Sequence, residues 1–386
     1  MKKIVRGLLL IICVVSVCFS LNCITQAAVV GGIRKDVKLP DYKKVVKIRI
    51  DPNNFTKSMK SALAEAAQKA SNSKQYKIIV PKGRHTCEWS FYVPSNTWIY
   101  AKGAVLDYNS APKERAYMVS NWERSTGSDV TRVTKNIRIT GGTWDNSGWP
   151  DDSTWNEVAP FHLSNIRNLV IENIKLKTNR NMHILEFADI TGLRVSGCTI
   201  YGNPVRKRLQ PKEALQLDVA ETAAFAHCLP NGKGCHNVTI VNNKFYSVER
   251  GIGSHNYVLA TTQNPSYTNV FICNNTFSRM HAEPIFMLHA KGATISGNKM
   301  NTGKRCGVYL EDCSYMQISG NNIKKITPFD GDRASTYGNF KTGIALADCQ
   351  SVNIGGNKMP AAPGKQAYYT YGPVSSNITV TNNTLR

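Results

Sequence analysis

Two carboxylates, an amide and an imidazole recur at matching places in three successive hydrophobic segments. The segments are Leu185-Glu186-Phe187, Leu215-Gln216-Leu217-Asp218 and Ile252-Gly253-Ser254-His255. A carboxylic acid and a carboxylate together can cleave a glycosidic bond. One protonates the leaving oxygen while the other activates water or attacks the sugar. On this reading Asp218 is the expected acid, Glu186 the base, and His255 tunes the acid or binds the sugar, with the carboxylate roles open to exchange. Elimination or C5-epimerisation of a uronate is the alternative. It needs a base near C5, from His255 or Tyr309, and a neutraliser of the sugar carboxylate, from Arg250 or a bound Ca²⁺. Glu186, Asp218 and Glu311 would be the oxygen ligands of that ion, although no run of aspartates marks a calcium site.

Alternation decides which of these side chains share a face. On a strand, successive side chains point to opposite sides. Aligned segments also occur at Phe161-His162-Leu163, Ile285-Phe286-Met287-Leu288, Val308-Tyr309-Leu310-Glu311 and Ile344-Ala345-Leu346-Ala347. Their large aliphatics are expected in the core. His162, Glu186, Gln216, Asp218, Gly253, His255, Phe286, Leu288, Tyr309 and Glu311 are expected to face outward. Gly251 and Gly253 would leave room for a sugar ring, and Phe286, Tyr309 and the tryptophans of 144–155 could stack on one.

The elements that position this row repeat. Ile240-Val241-Asn242-Asn243-Lys244-Phe245 returns as Ile272-Cys273-Asn274-Asn275-Thr276-Phe277, Ile295-Ser296-Gly297-Asn298-Lys299-Met300, Ile318-Ser319-Gly320-Asn321-Asn322-Ile323 and Ile354-Gly355-Gly356-Asn357-Lys358-Met359. Asn173 and Asn383 fit the frame, and Cys198 takes the asparagine slot in its own copy. A period in the low twenties with short strands and Gly/Asn turns implies stacked coils. Upstream, Met59, Leu63, Ala66, Ala67 and Ala70 share a face at helical spacing, so a helix is expected over 58–71. It would cover the exposed end of the coil stack.

The capping helix, the strand-turn Ile78-Ile79-Val80-Pro81-Lys82-Gly83 and the asparagine coils resemble the pectate-lyase superfamily of right-handed parallel β-helices. The resemblance covers nearly all of the chain after residue 28. It implies an all-β, single-stranded parallel β-helix whose stacked asparagines are structural. The order carboxylate, carboxylate, histidine on successive coils is similar to polygalacturonases. Their Asn-Thr-Asp, paired-Asp and Gly-His-Gly motifs are absent, and Leu-Glu-Phe, Gln-Leu-Asp and Gly-Ser-His stand instead.

Residues 1–28 read as a secretory signal. Lys2, Lys3 and Arg6 precede an apolar run from Leu8 to Leu21, and Thr25-Gln26-Ala27 suits cleavage. A leader over 29–51 and a β-helix over 52–386 follow. The formal charge is +22; the signal carries three of these charges, which leaves +19 on the remainder. That excess favours an acidic polysaccharide or a negatively charged cell wall over nucleic acid, for a chain expected outside the cell as a monomer. The basic residues Arg206 and Arg208 precede Asp218 and could wall a groove with the loop 220–236, and Arg250 could grip a uronate carboxylate or serve a turn. Gln216, Tyr309, Glu311 and His162 complete the expected binding residues. Eight cysteines lie beyond the signal. Cys228 and Cys235 could staple their loop, Cys313 and Cys349 could pair or stack, and no spacing resembles a zinc site. A non-catalytic adhesin or wall-binding protein remains the third reading, carried by the basic surface alone.

Overall fold

A computed structural model describes residues 36–108, 117–121, 132–148, 159–178, 183–202, 211–222, 225, 227–255, 267–338 and 340–386. The expected signal lies outside them. Among the described residues no helix is long and apolar enough to cross a membrane.

Every pairing between named strands is parallel, as stacked coils require. The longer strands of each coil join in one 20-stranded sheet, and the short strands form an 11-stranded sheet. The seven aligned segments stand in the expected register, with Phe161, Leu185, Leu215, Ile252, Ile285, Val308 and Ile344 successive neighbours. Their aliphatic and aromatic side chains fill one continuous core. Phe245 and Phe277, one coil apart, stack at 5.0 Å.

The asparagine ladder forms from Asn243 through Asn275, Asn298, Asn321 and Asn357 to Asn383. Each Oδ1 accepts from both the backbone N and the Nδ2 of the asparagine one coil earlier. Cys198 opens the ladder through its backbone N–H, 2.9 Å from Asn243 Oδ1. Asn173 falls one residue short of the slot. It takes the left-handed conformation of the preceding turn position, as do Gly197, Asn242 and Gly297, and Ile174 occupies the slot in the core. A second, shorter asparagine ladder lies in the first coils. Asn96, Asn136 and Asn168, all at positive φ, hydrogen-bond coil to coil at 2.8 and 3.0 Å.

The capping helix spans Phe55–Lys69, led by a 3-10 turn, Pro52–Asn54. Its buried face is Phe55, Met59, Ala62, Leu63 and Ala66. Ala67 is exposed, because the stripe that packs inward is centred on Met59, Ala62, Leu63 and Ala66, and Ala67 falls on its far edge. Part of the expected leader belongs to the fold, since Lys44–Arg49 pairs with Lys74–Ile79 as the first strand.

No disulfide joins Cys228 to Cys235. Cys228 packs with Ala188, Ala220 and Phe225, whereas Cys235 lies in the main core. Cys313 and Cys349 stack as buried thiols.

Candidate active site on the outward row

His162, Glu186, Gln216, Gly253, Phe286 and Tyr309 occupy one line across six strands. Asp218 and His255 stand two residues further along their strands. The row faces away from the core, yet it is not a solvated surface. Asp218 is 0% exposed and Glu186 7%. Phe286, Leu288 and Tyr309 belong to a second apolar cluster with Phe340, Ala345 and Ala347. Only the imidazole of His255 is widely open, at 47%.

Glu186 is held by His162, whose Nδ1 lies 2.8 Å from Glu186 Oε2. The His162 ring is stacked between Phe225 at 3.7 Å and Tyr117 at 4.2 Å. Burial works against ionisation of Glu186, but the hydrogen bond and charge of His162, with His183 and Lys212, outweigh it. The carboxyl is held below its ordinary range. Asp218 goes the other way. Burial and the charge of Glu186 raise it, against the opposing pull of His255. Asp218 Oδ1 accepts from Val219 N at 2.7 Å and Oδ2 from Gln216 Nε2 at 3.0 Å, with His255 Nδ1 at 3.5 Å. The hydrogen bond to Asp218 in turn raises His255. Among the described residues, Gln216 Oε1 is buried without a hydrogen-bond partner.

A ladder of alternating basic and acidic side chains, buried from Glu213 to Arg305, runs beside this row. His183 Nδ1 is 3.2 Å from Glu213, Glu213 is 3.0 Å from Arg250, Arg250 is 2.8 Å from Glu283, and Glu283 is 2.6 Å from Arg305. Strict alternation would turn Glu213 inward with Leu215. Instead Ala214 and Leu215 both enter the core, and the Glu213 side chain crosses the outward face over Gly253. A Cβ there would meet Glu213 Cγ at 2.5 Å. The outward glycine therefore makes room for the protein's own carboxylate rather than for a sugar. Gly251 packs on the core ring of Phe277. Arg250 lies in the ladder with its guanidinium 3.6 Å from the Phe286 centroid, and it is 6% exposed. Its fork is thus turned to two internal carboxylates.

Tyr309 donates to Glu311 Oε2 at 2.7 Å and stacks on Phe286. Burial and that hydrogen bond push its phenol well up, which opposes a role as base. Glu311 follows Asp218, His255 and Leu288 in its row, three coils from Asp218, or about 14 Å at the usual strand spacing. One Ca²⁺ cannot take Glu186, Asp218 and Glu311 together. Among the described residues no group of three or more His, Cys, Asp or Glu is placed to hold a metal. Arg206, Arg208, Trp149 and Trp155 lie outside the described residues. Trp144 is a core residue, 0% exposed, and does not reach the outward row.

Residues 231–385 match the family described as right handed beta helix region. The protein is a right-handed parallel β-helix. Among solved structures, this β-helix is similar to PfbA, a surface adhesin of Streptococcus pneumoniae. The TM-score is 0.56 at 16% identity, over 92% of this chain and 90% of that one. A hyperthermoactive exopolygalacturonase from Thermotoga maritima matches with TM-score 0.53 at 10% identity, over 92% and 95%. The A-module of a mannuronan C-5 epimerase from Azotobacter vinelandii matches with TM-score 0.50 at 11% identity, over 85% and 95%. No curated protein matches the chain at the level of sequence. At these identities the likeness is one of fold.

Proposed function

We propose that the chain is a secreted enzyme that hydrolyses an acidic polysaccharide, with Asp218 as general acid and Glu186 as general base. The observation that carries this reading is the opposed pair of carboxyls. One is raised and one lowered, on adjacent coils of one face, each with its own histidine. Environments that push two titratable groups apart are how a site holds an acid and a base at one pH. His162 positions Glu186, and His255, the open member, meets the sugar and tunes Asp218. Gln216 holds the Asp218 carboxyl. Arg250 serves the floor of the site, and Tyr309 and Glu311 extend it toward the C-terminal coils. The excess of basic residues supports an anionic substrate.

Hydrolysis has more support than elimination: burial pushes up the Tyr309 phenol, the hydrogen bond to Asp218 raises His255 and so favours its protonated form over a free base, and Arg250 is turned to two internal carboxylates. Burial of Asp218 favours a second reading, a binding protein that recognises acidic glycans without turnover. Reducing-end release from uronans by wild-type protein and by Asp218→Asn separates the two. Turnover lost in the variant supports the enzyme. Salt-sensitive binding with no turnover in either protein supports the binder.

A further inference from the structure

A second cluster of cations lies on the outward side of the first coils. Lys47 pairs in register with Lys77, Lys77 with Trp98, and Trp98 with Arg138, so four successive strands present three cations and one indole in line. Lys77 Nζ sits 3.5 Å from the Trp98 ring centroid and 4.4 Å from that of Tyr100. Arg138 Cζ lies 4.4 Å from the Trp98 centroid. The indole is fixed, since its Nε1 donates to Thr140 Oγ1 at 2.9 Å, and Thr140 and Arg138 both donate to Glu172 Oε1.

Glu172 answers Arg138. Among the described residues Lys47, Lys77, Lys82 and Lys102 have no ion-pair partner. Lys47, Lys82 and Lys102 are exposed. Like charges set side by side on adjacent strands repel one another. The proton affinity of Lys77 is lowered by partial burial and by Lys47 and Arg138 beside it. Next to the row is a cavity of about 600 Å³ lined by Tyr100, Lys102, Thr140, Gly141, Gly142 and Asn173. It lies at the turn between the two sheets, away from Glu186 and Asp218. A pocket with Tyr100 and the ammonium of Lys102 in its lining, and with Lys77 over the Tyr100 ring beside it, suits a sugar ring that carries an anion.

We propose that Lys47, Lys77, Tyr100 and Lys102 form a second binding site for a uronate-bearing glycan, separate from the carboxylate pair. Sugar carboxylates sit against Lys47 and Lys77, and one ring enters the cavity beside Tyr100 and Lys102. Such a site holds an anionic polymer on a face that performs no chemistry, whether the chain cleaves glycans or only binds them.

The test is calorimetric titration of the full chain with polygalacturonate, alginate, a phosphate-backbone teichoic acid and neutral dextran. It is run in the Asp218→Asn background so that turnover does not interfere. The paired change Lys47→Gln and Lys77→Gln is expected to weaken uronan binding about tenfold and to flatten its salt dependence. Lys102→Glu, at an exposed position, is expected to weaken it as well. Hydrolysis of short oligosaccharides by the same lysine variants with Asp218 intact should be unchanged. Uronan affinity equal to the parent in both lysine variants would overturn the site. So would equal affinity for dextran, or binding of teichoic acid alone.

Discussion

His162 and Glu186 stand directly opposite each other on adjacent coils, 2.8 Å apart, and the imidazole is locked between the rings of Phe225 and Tyr117. A histidine clamped on both faces has one orientation available to it, so it fixes the carboxylate it binds. His162 is then a positioning residue. His162→Gln, which keeps a donor but loses the stack, is expected to lower kcat by about tenfold or more with a smaller change in KM. It should also move the acid limb of the pH profile upward, because Glu186 loses its largest lowering partner. An unchanged acid limb would contradict this assignment.

The two histidines should act on opposite limbs. If Asp218 is the acid, its deprotonation sets the basic limb of activity. His255 holds Asp218 down against burial. Removing it in His255→Ala is therefore expected to shift the basic limb to higher pH and lower kcat. A shift to lower pH would contradict the pairing.

Stability in acid should follow the charge ladder. Burial alone would raise Glu213, but His183, with Nδ1 3.2 Å from its carboxylate, and the charge of Arg250 outweigh it and hold the carboxyl at about 2, from an ordinary 4.5. A folded pKa below the unfolded one contributes stability above the unfolded value, and that stability is lost as pH falls through the folded one. Wild-type protein should lose on the order of a few kcal/mol of stability between about pH 4.5 and 2 in urea titrations. Glu213→Gln should show a flatter curve over that window. At neutral pH, Arg250→Met should cost about 3–5 kcal/mol, because Glu213 and Glu283 are left buried without their shared cation.

The asparagine ladder carries a separate prediction. Asn298→Ala removes an acceptor used twice by Asn275 and the Nδ2 donor that reaches Asn321 Oδ1 and Ile272 O. A loss on the order of 2–4 kcal/mol is expected from the buried groups left unmatched. Activity per folded molecule should be unchanged.

Much of this architecture was legible in the sequence because it obeys a short period. The repeat Ile-x-x-Asn-x-apolar marks the turn of each coil, and alternation through Leu215, Leu217 and Ile252 set the core register. The misses share a physical cause, which is local departure from that period. Asn173 sits one residue off the ladder because its coil puts Ile174 in the slot. Glu213 and Arg250 face outward because Ala214 and Leu215, and then Gly251 and Ile252, enter the core in succession. His183, Glu283 and Arg305 become visible only once those breaks are placed, since each ion pair joins residues more than 20 positions apart. Burial of the outward row was likewise illegible. Alternation says which way a side chain points, and a second layer decides whether solvent reaches it.

The most direct test of the central claim is a digest of acidic and neutral polysaccharides by wild-type protein and Asp218→Asn. It is read both by reducing ends and by the ultraviolet absorbance of unsaturated uronate, with calcium and with chelator. The variant should fold, since the oxygen of its new amide can still accept from Val219 N, and rotation of the Gln216 amide turns its unmatched Oε1 toward the new amide nitrogen. The account predicts reducing ends from an acidic glycan without the ultraviolet signal, insensitivity to chelator, and loss of turnover by about a hundredfold or more in the folded variant. Ultraviolet-absorbing products, or turnover that survives Asp218→Asn, would contradict hydrolysis by Asp218 and Glu186.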